Sequence, residues 1–287
     1  MRNNSISVKI VEKGVQVILE GNKLKDTIKS IILMFIAIPG VLNASSIESG
    51  SYHNFGIEGY YYQYRETVDN SFLMKDTGPV FGAYYDFVYR PTDTHFKFAL
   101  ETRAAYAPNT HYHSADTGDS KHDRYWVVEA RPLGAYAINL ENQWITEGYS
   151  GIGLRYLTNP ANKRLTTTGH SSYLRKSRYS YVPIGVRIIK ELQNKIQWVG
   201  YLEYDWFLSG LQRSYITDPF TAHNHQSHGY GARVGIDLHI PASEFNYTIG
   251  VFVRYWHIKD SELDDRFGGF EPDNTTQEVG IRLGLVF

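Results

Sequence analysis

The chain has no cysteine, which excludes a disulfide framework, thiolate metal knuckles and a thiol nucleophile. Glycine-rich phosphate loops and dinucleotide fingerprints are also absent. Long hydrophobic runs are missing too. The one sustained apolar stretch, Ile31 to Leu42 (IILMFIAIPGVL), is too short for a bilayer-crossing helix and is broken by Pro39-Gly40. Charge of one sign is not in excess: 29 Lys and Arg stand against 30 Asp and Glu, so nothing favours a nucleic-acid partner. What the chain does have is 25 Gly, 23 Tyr, 14 Phe and 5 Trp but only 3 Met in 287 residues. That is a strand-rich composition. The mean hydropathy of -0.37 reads as soluble, but an alternating strand dilutes its apolar face with polar neighbours, so the average is uninformative here.

The Ile31 to Leu42 stretch follows Lys23, Lys25 and Lys29 and exits into Asn43-Ala44-Ser45-Ser46. A basic flank, a short apolar segment and a small-residue exit form a secretory signal, with cleavage expected after Ala44. Leu24 to Ala44 is a complete signal by itself, so translation is expected to start at Leu24, with residues 1–23 upstream of it. The expected organisation is residues 1–44 as extension and removed signal, and residues 45–287 as one domain. Removing 1–44 leaves 23 basic against 27 acidic residues.

Period-2 alternation bounded by turn residues predicts ten strands: 54–66, 78–90, 94–107, 123–139, 143–157, 177–190, 195–208, 227–240, 245–259 and 276–287. Their connections alternate between short links at 91–93, 139–142, 191–194 and 241–244 and longer polar links at 67–77, 108–122, 158–176, 209–226 and 260–275. Faces agree from strand to strand. Tyr230, Ala232, Val234, Ile236, Leu238 and Ile240 oppose Arg233, Asp237 and His239, while Phe96, Phe98 and Leu100 oppose Lys97, Glu101 and Arg103. A soluble sandwich or lipocalin-like barrel would alternate equally well, but with its apolar side inward.

The last twelve residues, TQEVGIRLGLVF, set Val279, Ile281, Leu283, Leu285 and Phe287 against Glu278, Gly280, Arg282 and Gly284. This resembles the closing strand of bacterial outer-membrane β-barrel proteins, which characteristically end in an aromatic residue read by the assembly machinery. The resemblance is to the class, and it implies an all-β, ten-stranded antiparallel transmembrane barrel with short periplasmic turns and longer extracellular loops. It also implies export by the Sec route to the outer membrane, recognition by the barrel-assembly machinery through Phe287, and contact with outer-membrane lipid and lipopolysaccharide. Arg175, Lys176 and Arg178 fall at the rim where lipopolysaccharide phosphates lie. A monomer is expected, because no lipid-facing strand is polar. Aromatics at Tyr60 to Tyr62, Tyr125-Trp126, Trp144, Trp206 and Tyr255-Trp256 read as interfacial girdles.

With the polar faces turned inward, the lumen is expected to hold Glu101, Arg103, Glu129, Arg131, Arg155, Arg187, Arg233, Asp237, Arg254, Glu278 and Arg282, together with Glu58, Asp86, Arg90, Lys97, Glu147, Glu203 and Asp205. Acids and bases nearly balance, and buried ions persist only when paired. The expectation is a salt-bridged, occluded interior. Function then belongs to surface interaction, adhesion to a host or surface ligand through the loops, or envelope structure; the alternative is a narrow channel for small solutes.

A third reading is hydrolytic. Glu203 and Asp205, two apart on one face, form a candidate acid/base pair with His228. Asp237-Leu238-His239 is similar in spelling to the Asp-His couple of the omptin proteases, but precedes a short turn and so belongs to the periplasmic end. His170-Ser171-Ser172 resembles the His-x-Ser element of outer-membrane phospholipases, without its Asn-Gly-Arg companion. Histidines also cluster in the longer links. His111 with His113, and His223 with His225, each place two imidazoles on one side of an extended chain, a candidate metal-ligand spacing. No cofactor is called for.

Overall fold

The computed structural model describes residues 5–11, 14–20, 50–140, 142, 144–160, 164–217, 220–242, 245–264 and 268–287. The expected signal segment and its cleavage site lie outside these residues. Two units separate. In the first, β1 (Ser5–Val11) and β2 (Gly14–Glu20) pair as an antiparallel hairpin, an element the sequence reading left unassigned.

The second unit is built from β3 (Gly50–Val68), β4 (Ser71–Arg90), β5 (Phe96–Ser114), β6 (Gly118–Asn139), β7 (Trp144–Gly151), β8 (Gly153–Pro160), β9 (Leu174–Glu191), β10 (Gln197–Thr217), β11 (Phe220–Gln226), β12 (Gly229–Ile240), β13 (Asn246–Ile258) and β14 (Asp273–Val286). Each expected strand has its counterpart. Strands β7 and β8 form one wall interrupted at Ile152, for β6 pairs with β7 at its inner end and with β8 farther out. Strands β11 and β12 form one wall likewise, interrupted at Ser227-His228. Ten antiparallel walls result. They close where β14 pairs with β3, from Val286↔Asn54 to Asp273↔Thr67, which leaves no open edge along the ten-walled part of the barrel, while β11 pairs only with β10. Phe287 completes the seam by exchanging backbone hydrogen bonds with His53 at 2.8 and 3.0 Å and stacking on its ring.

Inner turns are short, as expected. Asp93, Asn142 and Asn194 adopt positive φ there, a conformation that Asn and Asp tolerate through local hydrogen bonding. The outer ends are more varied than their polar composition indicated. β3 and β4 continue to a two-residue turn at Asp69-Asn70, both with positive φ, and β5 and β6 pair out to Ser114↔Gly118. β10 and β11 pair out to Thr217↔Phe220. Three of the five outer links are therefore mostly strand, and the barrel wall rises well past the height of a hydrocarbon band. The two long outer connections are 161–173 and 259–272.

The faces settle which side meets hydrocarbon. Ile57, Phe81 and Trp206 are 58, 63 and 59% exposed and point outward, whereas Glu278 and Asp205 are fully buried inside. Leu283 and Val234 are 45% exposed while Arg233 is 6% exposed. A soluble barrel would invert this order. The alternation holds through the apolar band and then slips on β5 and β10: register shifts fall between Ala107 and Thr110 and between Phe207 and Ser209. A bulge inserts one residue and exchanges the faces beyond it. Beyond these points Thr110, Ser114, Gln212 and Ser214 are the buried residues.

Candidate functional site

The lumen is layered, and β3 gives the order of its layers. Asn54 lies near the inner mouth, followed outward by Glu58, Tyr60, Tyr62, Tyr64 and Glu66, all on the inward face.

At the inner end lies a cavity of about 620 Å³. Gly50, Glu191, Pro241 and Asn246 at the strand ends frame its mouth, and Tyr52, Asp86, Arg90, Lys97, Glu101, Arg187 and Arg282 line its wall. Along one side Arg282 binds Asp237, with Nε at 2.7 Å from Oδ1.

Along the cavity wall and above it the charges join into one network. Arg103 reaches Glu129 at 2.7 Å and both Glu58 and Glu278 at 3.2 Å. Arg254 bridges Glu58 at 2.6 Å and Glu278 at 3.1 Å, and Arg155 holds the other oxygen of Glu278 at 2.9 Å. Arg233 carries the chain onward from Glu129 to Asp205 and Glu203. Arg131 then links Glu203 to Glu101, Arg187 links Glu101 to Glu147, and Arg90 and Lys97 end it on Glu147. Every one of the ten walls supplies a member. The period-2 register explains why, since charges recur at inward positions at this height while most outward ones are apolar. Shared carboxylates and forked guanidiniums meet the requirement that buried charge be paired, although Arg90 Nη1, Arg103 Nη2, Arg131 Nε, Arg155 Nε and Asp205 Oδ1 are buried without a hydrogen-bond partner among the described residues.

On the outer side of this network aromatic rings fill the bore. Tyr62 stacks on Tyr125 at 4.4 Å, and Tyr181 meets Trp256 edge-on at 4.9 Å. The Tyr181 hydroxyl donates to Glu129 at 2.7 Å, and Arg155 lies over the Trp256 ring at 5.1 Å. Gly153 makes room for Tyr181, because a Cβ there would sit 2.0 Å from the phenol carbon. Beyond the rings, Arg175 binds Glu66 at 2.5 Å and also Glu271, and the Tyr64 hydroxyl donates to both carboxylates. Burial, seconded by the Glu66 carboxylate, raises the Glu271 carboxyl to about 7 against the pull of Arg175. Glu271 belongs to the 259–272 connection, which reaches the β11 wall through Asn224 Nδ2 to Gly269 O at 3.1 Å and Gln226 Nε2 to Lys259 O at 2.9 Å.

No protein-family model matches the chain, and no curated protein matches it by sequence. Among solved structures it is similar to the outer-membrane protease OmpT from Escherichia coli, with a TM-score of 0.61 at 8% identity, covering 85% of this chain and 98% of that one. The chain has the fold of a bacterial outer-membrane β-barrel. At that identity the likeness speaks for the fold alone. Two other outer-membrane barrels match more loosely. The translocator domain of the autotransporter NalP from Neisseria meningitidis has a TM-score of 0.40 at 10% identity over 91% of this chain and 94% of that one. OprG from Pseudomonas aeruginosa has 0.36 at 13% over 85% and 99%.

Within this outer-membrane barrel, seventeen of the eighteen residues read as luminal carry ion pairs in the bore, and Asp86 accepts from Asn54 Nδ2 instead. Glu203 and Asp205 sit among them, held by Arg131 and Arg233. His228 does not join them: it is exposed at the interruption between β11 and β12, bonded to Ser227. His228 therefore does not stand beside that carboxylate pair. The histidine pairs are also apart. His111 and His113 are on β5, His223 and His225 on β11, five walls away around the barrel, and beyond the bulges both pairs face outward. His113 is instead bound to Asp119 at 2.6 Å. Among the described residues no three metal-ligating side chains converge. His239 and Asp237 line the inner cavity, at the end opposite the one an omptin-like site requires, and His170 hydrogen-bonds Thr168 in the outer 161–173 connection.

The aromatic plug is what the sequence reading missed. Tyr60, Tyr62, Tyr125 and Trp256 had been grouped with the girdles, but are buried in the bore. Only Tyr61, Trp126, Trp144, Trp206 and Tyr255 take the outward positions. The signal was parity: each plug ring shares its face with a luminal charge, Tyr60 and Tyr62 with Glu58, Tyr125 with Glu129 and Trp256 with Arg254.

Proposed function

We propose that this outer-membrane barrel offers no through-path for solutes and acts at the cell surface, through its tall outer wall and two long connections, in adhesion-like contact or envelope reinforcement. The observation that carries this reading is the ion network joined to all ten walls and backed by the aromatic plug. Separating a buried pair leaves uncompensated charge at roughly 3–5 kcal/mol each. An open bore requires several such separations at once, so its population is negligible beside the closed form. Loops on a rigid scaffold are where surface recognition is placed. Export by the Sec route with loss of residues 1–44, and handling by the assembly machinery through Phe287, belong to the same reading.

A narrow channel is the second reading, favoured by the polar inner cavity of about 620 Å³. Conductance across planar bilayers separates the two. The closed reading expects folded protein, verified by heat-modifiable gel mobility, to give no stable single-channel steps. Reproducible steps from the unaltered chain would overturn it in favour of transport.

A further inference from the structure

The outward faces of β8, β9 and β10 change character abruptly. On β9 they run Ile188, Val186, Ile184, Val182 and then Ser180, Arg178 and Lys176; on β10, Leu202, Tyr204, Trp206 and Leu208 give way to Leu211, Arg213 and Tyr215. From Ile188 to Arg178 at a tilt of about 40° is roughly 25 Å of height, the thickness of the apolar band of such barrels. The cations therefore begin where hydrocarbon ends. The bulge at Phe207/Ser209 puts Arg213 on the outside here, and Arg175, which the sequence placed with them, turns into the bore.

Lys176 lies directly across the strand pair from Arg213, and Arg178 is the next outward residue on β9. Like charges placed opposite one another destabilise a sheet, yet among the described residues no carboxylate is ion-paired with any of the three. The Nε of Arg213 is buried with no acceptor among the described residues. Lys176 leans over the Tyr215 ring at 5.3 Å and Arg178 over Tyr156 at 5.9 Å, and together with Leu211 and Arg213 these residues surround a pocket of about 80 Å³.

We propose that this exterior pocket is a binding site for the phosphorylated glycolipid head group of the outer leaflet, with Lys176, Arg178 and Arg213 gripping one phosphate and Tyr156 and Tyr215 flanking the sugar. Charge complementarity and height name the occupant. A lipid-borne phosphate is held at this level by its own acyl chains against Leu202 to Leu208, whereas a free anion gains nothing from that apolar wall. The grip neutralises the Lys176/Arg213 repulsion and supplies the missing acceptor to Arg213. The site is independent of whether the lumen conducts.

The test titrates the full-length folded protein in detergent with bisphosphorylated lipid A, with its dephosphorylated form and with inorganic phosphate, read by native mass spectrometry. Bound lipid A is expected to weaken about fivefold in Arg213→Gln and about a hundredfold in the triple variant Lys176→Ser, Arg178→Ser, Arg213→Ser. Dephosphorylated lipid is expected to bind poorly to every form. The triple variant sheds like-charge repulsion, so its heat-modifiable mobility is expected to persist. Arg65→Ser with Lys75→Ser removes charge at the tip of the β3–β4 hairpin instead and is expected to leave binding unchanged. Equal binding by the triple variant, equal loss in the hairpin-tip variant, or inorganic phosphate binding as tightly as lipid A would each overturn the proposal.

Discussion

The inner half of the barrel and its outer third are made of the same ten walls, yet they obey different rules. In the inner half each strand separates hydrocarbon from a charged bore, so every residue is under pressure to choose a side. Glu278 and Arg282 alternate with Ile281 and Leu283 without a slip. In the outer third both faces meet polar surroundings. The pressure lifts, bulges accumulate at Ala107/Thr110 and Phe207/Ser209, and structure is held by individual contacts such as Arg175 with Glu66 and Glu271. Cooperative electrostatics govern one region, and local docking governs the other.

The sharpest way to break that contrast is to remove a hub of the inner network. Arg103 serves three carboxylates, Glu58, Glu129 and Glu278. Arg103→Ala is expected to destabilise the barrel by roughly 3–5 kcal/mol, read as a lower urea midpoint by tryptophan fluorescence. Removing Arg175 in the outer third is expected to cost less, since Glu271 keeps the Tyr64 hydroxyl as a partner and reaches water when its connection lifts away. Equal losses for the two substitutions would erase the distinction between the regions.

A second comparison tests the plug. Gly153→Val drives a side chain into the space of Tyr181 and is expected to cost about 1–3 kcal/mol by overpacking. Gly134→Val, at an outward site with nothing within 4 Å, is expected to be nearly neutral. Displacement of Tyr181 also withdraws its hydroxyl from Glu129, so stable conductance in Gly153→Val, absent from the unaltered chain, would identify the rings as the second barrier.

The same contrast explains what the sequence disclosed. Ten walls, their order and their inward charges were legible because a period of two survives wherever one face is oil and the other is ionic. The outer extensions were not: around Thr110 and Gln212 a bulge exchanges the faces, and a strand wet on both sides has the composition of a loop. His111, His113, His223 and His225 therefore read as loop clusters, although they stand on strands, facing out from opposite walls. Ion partners were only half legible. Alternation placed Arg233 and Glu129 on the same surface, but 104 positions separate them and no local spacing announces their pairing.

The smallest expected effect lies in the outer third and is a matter of pH. With the 259–272 connection docked, the Glu271 carboxyl titrates at about 7; lifted into water, it returns to the ordinary range near 4.3. Between those values the docked form holds a proton that the lifted form releases, so docking weakens as pH rises from about 5 through 7. Below that window both forms are protonated and the preference is constant. The amides of Ser261 and Asp264, which donate to Glu271 O and Gly269 O within the connection, report on this motion by hydrogen exchange. Corrected for the intrinsic rate, their protection is expected to be greater at pH 5.5 than at pH 8. Glu271→Gln, neutral throughout, is expected to flatten the profile near its acidic level. Amides in the inner half, such as those of β14 beside Arg282, are expected to show no such slope. A profile that rises with pH, or a slope shared by both regions, would mean that Glu271 is not the group that titrates and that the outer third is not governed by its own contacts.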